Sequence, residues 1–209
     1  MNAPPAVSVS WESPEPAALP LPPDLPPLPP NPRVLILIDG DCVSHGLVEG
    51  TARERACDHE VRACLDRVHA TATLLDPCPR TRCAVSSATA KYHFSVMASS
   101  GNNVFAICYG LDGADFELKD ELNDLIQARS IAARPGRRTR HSRLADLVIL
   151  VGHDGIYAPP VRQLRLGGTP TWLLTPGYLV ARSLRRAACA VTYIGPTGPC
   201  CLIEHHTGE

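Results

Sequence analysis

The sequence predicts an α/β fold built on a parallel sheet with helices on both faces. Short runs rich in Val, Ile and Leu recur along the chain, as at Val34–Ile38 and Leu147–Val151. Continuous apolar runs of this kind read as strands buried on both sides. Between them lie longer stretches with helical spacing. Strand and helix alternate, which implies crossover connections and a sheet covered on both faces. The 209 residues, 44% of them hydrophobic, are enough for one such domain and a tail.

The elements follow in order. Val34–Ile38 is the first strand, ending in Asp39-Gly40-Asp41. Residues from about 50 to 75 follow helical spacing, with Ala56, Val61, Cys64, Leu65 and Val68 on one side, until Pro77 and Pro79 end the helix. Cys83–Ser87 is a short second strand and residues 88–99 a second helix. Asn103–Tyr109 is a third strand, followed by a helix over about 114–130. Leu147–Val151 is a fourth strand, 157–166 a helix, Thr171–Leu174 a fifth strand, 178–188 a helix and Ala190–Ile194 a sixth strand.

Twelve of the 21 prolines lie in residues 1–32. Each removes an N–H donor and fixes φ, so no helix or central strand is expected there. These residues read as a disordered or polyproline-II tail, and residues 197–209 as a C-terminal tail. The P-x-x-P spacings offer a docking sequence for a protein partner with an aromatic groove. The tail carries Glu12, Glu15 and Asp24 and no base, so the body is mildly basic although the whole chain is at -1. That balance excludes a histone-like polyanion binder, and 5% aromatics argue against a stacking-based single-strand binder. No run approaches the roughly 18 apolar residues of a membrane span, and no secretory signal is visible, so a cytoplasmic protein is expected.

Nine cysteines include no C-x-x-C. A disulfide framework is not expected without a secretion signal. Cys78 and Cys83 with His93, or Cys200 and Cys201 with His205 and His206, are zinc candidates without the regular spacing of a knuckle or finger. Cys108 and Cys189 sit in apolar runs as small core residues.

In parallel sheets ligands bind beyond the carboxyl ends of the strands. Asp39 and Asp41 follow the first strand, Asp112 and Asp115 the third, and Asp154 the fourth. Carboxylates gathered at one edge repel unless a cation neutralises them, so the set suggests Mg²⁺ or Mn²⁺. Such ions activate water and hold phosphate oxygens. Asp115 also suits a helix N-cap and Asp112 a turn. An unpaired carboxylate at Asp39, after an apolar strand, would be costly.

Three segments resemble the NYN-domain family of PIN-like nucleases, in the family's order. Leu37-Ile38-Asp39-Gly40 is similar to its first strand ending in Asp-Gly. Residues 113–122, Gly-Ala-Asp-Phe-Glu-Leu-Lys-Asp-Glu-Leu, resemble its Gly-(Val/Ala)-Asp-x-x-Leu-x-x-Asp-x-Leu segment, with one residue fewer before the second Asp. Residues 146–157, from Asp146 to Tyr157, resemble its Asp-x-x-h-h-h-Ser-Gly-Asp-x-Asp-Phe segment, where h is apolar. Val161–Leu174 and Leu184–Ala188 resemble the elements that follow, so the likeness spans about residues 33–195. It implies a PIN-like, Rossmann-like three-layer sandwich with a mostly parallel central sheet over residues 33–196. It also implies metal-dependent RNA cleavage, with Asp39, Asp115 and Asp154 as catalytic metal ligands. Asp41, Asp120 and His153 would support them from behind. Cys42 stands where the family often has Asn, and Ile156 where it has a further Asp. An inactive relative that binds RNA or protein without cutting is the alternative.

A second alternative rests on Val34–Val43, which also fits the first motif of haloacid-dehalogenase-like phosphatases. There Asp39 is the nucleophile and Asp41 the general acid, with Ser86 or Ser87 and Lys91 as further motifs. That reading leaves Asp115 and Asp120 without roles.

Arg134, Arg137, Arg138, Arg140, His141 and Arg143 form one basic stretch without an acid. Arg137, Arg138, Arg140 and Arg143 are the candidate RNA contacts, because guanidinium forks match phosphate. Arg182, Arg185 and Arg186 form a smaller group. No base-reading motif is visible.

Overall fold

The computed structural model describes residues 18–110, 112–133, 144–177 and 179–195. Six strands form one all-parallel sheet in the order β3-β2-β1-β4-β5-β6. They are β1 (Val34–Asp39), β2 (Arg80–Ser86), β3 (Val104–Cys108), β4 (Leu147–Val151), β5 (Thr171–Thr175) and β6 (Ala190–Tyr193). The helices are α1 (Gly40–Gly46), α2 (Asp58–Leu75), α3 (Ser87–Ser99), α4 (Gly113–Ala132), α5 (Ala158–Leu166) and α6 (Arg182–Ala187). The result is a three-layer, Rossmann-like α/β sandwich, as the strand–helix alternation implies.

Side-chain alternation along the strands divides the core in two. Ile36 and Ile38 of β1 face one layer with Val43 of α1, Leu65 and Val68 of α2 and Met97 of α3. Leu35 and Leu37 face the other, with Leu118 and Leu122 of α4, Val161 of α5 and Leu184 of α6. β1, β4 and β5 are buried along their whole length. β3 forms one edge and leaves Val104 and Ile107 exposed.

Chain order reverses between β1 and β4. From β1 the chain winds outward through β2 to β3, then crosses by α4 to β4 and winds the other way. At such a reversal the loops leaving the two central strands diverge, and a crevice opens at their carboxyl ends. At the opposite edge Arg33 clamps Asp146, its Nε 2.9 Å from Oδ2 and its Nη2 2.8 Å from Oδ1, which ties the starts of β1 and β4.

Several elements differ from the sequence expectation. The long helix starting near residue 50 is instead α1 directly after β1, a turn region, and α2 from Asp58. Glu60 sets that start: it accepts from the Cys57 N–H at 2.8 Å, and Arg53 braces it. β2 begins three residues early, at Arg80, because Arg82 can sit in a strand while it pairs with Glu117 and Glu121 of α4. The last helix is shorter than expected, Arg182–Ala187.

The proline-rich stretch also requires correction where it is described. Residues 18–32 hold neither helix nor strand, as proline demands, but they are not a free tail. Leu19 is 3% exposed, and its N–H donates to Thr71 Oγ1 at 2.8 Å. Leu25 and Leu28 pack on the cluster that holds Trp172 and Leu174 of β5. The leucines between the prolines supply apolar cover that the prolines' missing donors do not prevent. Residues 1–17 and 197–209 lie outside the described residues.

Candidate active site at the switch point

Asp39 ends β1 at the crevice. It is 5% exposed, and its Oδ1 accepts from the Cys42 N–H at 3.0 Å, capping α1. Gly40 must follow it, because a Cβ there would lie 2.9 Å from Met97 Sδ and 3.1 Å from Val85 Cβ. The Asp-Gly pair therefore serves both to turn the chain and to let α1 press onto β2 and α3.

Asp115 arrives from the first turn of α4, half-buried. Tyr157 arrives from the 3-10 turn Gly155–Tyr157 after β4, with its ring fully buried. Its hydroxyl donates to Asp115 Oδ1 at 2.6 Å and lies 3.4 Å from Asp39 Oδ2. The carboxyls of Asp39 and Asp115 also interact directly. Burial above all, then the charges of Asp115 and Asp41, pushes Asp39 up to about 8, against the pull of the Cys42 N–H. Burial likewise raises Asp115, with the field of Asp154 adding to it, while the Tyr157 bond opposes the shift. At neutral pH the pair therefore holds a proton on Asp39.

Asp154 is exposed, and its Oδ1 accepts from the Ile156 N–H at 3.0 Å, capping the 3-10 turn. Its charge is nevertheless felt at Asp115. So the structure brings Asp39 and Asp115 into contact and sets Asp154 beside them. Asp120 sits five residues further along α4 on an exposed side, with no bond to the cluster among the described residues. Asp41 turns away to α3: the Ser86 N–H is 3.1 Å from its Oδ2 and the Ser86 Oγ–H 2.9 Å from its Oδ1. That tie leaves Asp41 bound to the end of β2, unlike the free general acid that a phosphatase of the second kind needs. Lys91 is exposed on α3.

His153 lies at the crevice, its Nδ1 2.9 Å from Cys42 Sγ. Burial first, then the nearby Asp39, raises the Cys42 thiol far above its ordinary range. Cys42 is therefore a thiol, and its S–H donates to His153. Cys42 and His153 thus form a mutually satisfied pair. Tyr157 joins this carboxylate cluster although the sequence does not single it out as a candidate. Its position matches an apolar aromatic in the family pattern, and only its hydroxyl could have signalled a partner.

A second arrangement has a nucleophile-like form. His93 bonds Asp58 Oδ1 at 2.7 Å and Ser44 Oγ at 3.1 Å. Ser44 is fully buried and Asp58 faces solvent, so no substrate reaches the oxygen. The trio ties α1, α2 and α3 together. This use of His93, with Cys83 buried in β2 and Cys78 exposed, also removes the first zinc candidate. Cys200, Cys201, His205 and His206 lie outside the described residues, as do Arg134, Arg137, Arg138, Arg140, His141 and Arg143. A surface pocket of about 400 Å³ opens at the far edge of the sheet, lined by Asp24, Leu28, Asp146, Arg165, Pro170 and Cys189. Its Asp146 is already clamped by Arg33, and it holds no acid cluster.

For a cation of the kind the resemblance implies, the chemistry of Asp39 and Asp115 fits. Two carboxyls forced together in a buried place keep a proton that a divalent ion would displace. Among the described residues, however, no three His, Cys, Asp or Glu side chains form a ready metal-holding group. Asp154, bent back onto Ile156, would have to turn to complete one. No described helix is long and apolar enough to cross a membrane.

No protein-family model and no curated protein matches this sequence. Among solved structures, the chain is similar to a protein of unknown function from Vibrio parahaemolyticus RIMD 2210633, with a TM-score of 0.53 and 16% identity. The match covers 81% of this chain and 97% of that one. At that identity it supports the fold alone.

Proposed function

We propose that the chain is a Mg²⁺- or Mn²⁺-dependent endoribonuclease of the NYN/PIN-like type, with Asp39, Asp115 and Asp154 as the residues that hold the cation. One observation carries this reading: Asp39 at the end of β1 and Asp115 at the start of α4 converge at the switch-point crevice, where the buried Tyr157 hydroxyl lies 2.6 Å from one carboxyl and 3.4 Å from the other. The bound cation would supply an activated water and neutralise charge on a phosphate oxygen. The chain's own groups do the rest. The Cys42 N–H orients Asp39, and Tyr157 holds Asp115 against it. The tie from Asp41 to Ser86 fixes α1 behind both. This reading also takes the protein to be cytoplasmic. The seven described cysteines are all free thiols, which suits a reducing compartment.

Incubating the purified protein with mixed RNA substrates, with and without Mn²⁺, is the test. Metal-dependent cleavage lost in Asp39→Asn supports the reading, and intact RNA at millimolar Mn²⁺ sinks it. A second reading, an RNA- or protein-binding domain without cleavage, is favoured by the cap from Asp154 to Ile156, which leaves Asp39 and Asp115 without a third ligand among the described residues. It predicts RNA retention without products in the same assay.

A further inference from the structure

Between Gly155 and Ile203 the sequence holds five arginines and no acid. The described part of this run builds α5, β5, α6 and β6, and β5 is buried, so the charge falls on two helices. Arg162 and Arg165 of α5 and Arg182 and Arg186 of α6 are exposed. Arg185 is half-buried and donates to Tyr193 Oη at 2.6 Å. Spacings of three and four place each exposed pair on one helix face. The two helices pack side by side, and Arg165 Nη1 lies 3.4 Å from the Arg186 carbonyl oxygen. Packed helix axes are about 8–10 Å apart, roughly one Debye length at physiological salt. The four positive fields therefore add, and the acids that share a pocket with Arg165 are Asp24 and an Asp146 already paired with Arg33. Like charges at this spacing work against the helices that carry them, and lysine, a point charge without the guanidinium fork that matches phosphate, is absent from the run.

The face adjoins the acids. The Ala181 N–H, just before α6, donates to the His153 carbonyl at 2.9 Å, and a Cβ at Gly155 would meet Ser183 Oγ at 3.1 Å. Both helices run from the carboxyl edge of the sheet to the opposite edge, so the arginines begin beside Asp154 and lead away from it. In the same layer α4 carries Asp115, Glu117, Asp120, Glu121 and Asp124 against Lys119 and Arg129. A polyanion is repelled on that side.

We propose that the α5–α6 face is a backbone-binding track for single-stranded RNA, on which Arg162, Arg165, Arg182 and Arg186 grip phosphates of the strand leaving the carboxylate site. The proposal rests on the nuclease reading for its choice of polyanion. The test is fluorescence anisotropy of a labelled 20-nucleotide RNA in EDTA, titrated at several KCl concentrations. In R162Q/R165Q/R182Q/R186Q the affinity should fall at least tenfold near 0.1 M salt, and the log–log salt slope should drop by about three, at roughly 0.7 per phosphate contact. Arg165 also bonds main-chain oxygens of α6, so R162Q/R182Q serves as a gentler variant, with about half that loss of slope. R62Q/K91Q, exposed charges in the opposite layer, should leave the slope unchanged.

Unchanged slopes in both track variants, or no RNA binding by the wild type, overturn the proposal. So does a variant that changes only self-association by sedimentation, which would make the face a protein-docking surface. Cleavage in Mn²⁺ is read separately. A wild type that binds along the track without cutting sinks the nuclease reading alone. A wild type that cuts, with track variants binding normally, sinks the track alone.

Discussion

Tyr157 donates its hydroxyl proton to Asp115 at 2.6 Å, joining the segment after β4 to the start of α4. The ring is buried in the apolar layer between α4, α5 and the sheet, so the hydroxyl is the single polar point of a large core residue. It anchors one carboxyl of the buried pair and closes the floor beneath the other.

Tyr157→Phe should therefore cost about 1.5–3 kcal/mol, the range for a bond to a charged group. For a domain of this size that is a fall of roughly 3–12 °C in Tm. Thermal unfolding in EDTA measures it. An unchanged Tm would mean that the ring packs and the hydroxyl does nothing.

The proton on Asp39 makes stability depend on pH. Its folded value is pushed up to about 8 by burial, whereas the unfolded chain titrates near the ordinary carboxyl value of about 4. The native state thus holds a proton that the unfolded state has lost. The stabilisation is complete below about pH 4 and is lost as pH rises through about 8. In EDTA, Tm should fall between pH 5 and pH 8, and Asp39→Asn should flatten that fall. A Tm that rises over this range in the wild type would show that Asp39 is ionised in the fold.

The legible part of this chain was its pattern of apolar runs. Val34–Ile38 and Leu147–Val151 announce two-sided burial, and the alternation with helices fixes a parallel sheet. The position of Asp39 at a strand end was readable for the same reason. Other features depend on contacts that periodicity does not record. α1 was invisible because a seven-residue helix starting at Gly40 has no repeat long enough to show. Asp41 reads as a residue behind the site, but its tie to Ser86, 45 positions away, leaves no mark in the local sequence. Tyr157 looked apolar because its ring is, and its hydroxyl acquires meaning only once α4 crosses beneath the sheet.

The proline-rich stretch yields a prediction about stability. Leu19 is buried, bonded through its N–H to Thr71, and part of the cluster under β5. Leu19→Ala should cost about 2–3 kcal/mol, the lower part of the range for a buried leucine, because a segment outside helix and strand can settle into the space. Removing residues 1–32 should cost more than removing 1–17. Equal melting temperatures for the two truncations would mean that residues 18–32 contribute nothing to the fold.

Asp154 separates capping from cation binding, because two substitutions split its roles. Asparagine caps a helix start about as well as aspartate, so Asp154→Asn keeps the bond to the Ile156 N–H while removing the charge that disfavours an ionised Asp115. In EDTA its Tm should equal or exceed that of the wild type. Asp154→Ala loses the cap as well and should cost about 1 kcal/mol. Mn²⁺ then distinguishes the readings, since a ligand that binds only the native state raises Tm with concentration. If Asp154 swings onto a cation held by Asp39 and Asp115, both variants lose most of the Mn²⁺-dependent rise, and the asparagine does so despite its intact fold. If Asp154 is a cap and nothing more, the asparagine variant follows the wild type across the whole Mn²⁺ titration. A wild type with no rise at millimolar Mn²⁺ would remove the cation from the buried pair, and the binding-domain reading would then stand in place of the nuclease.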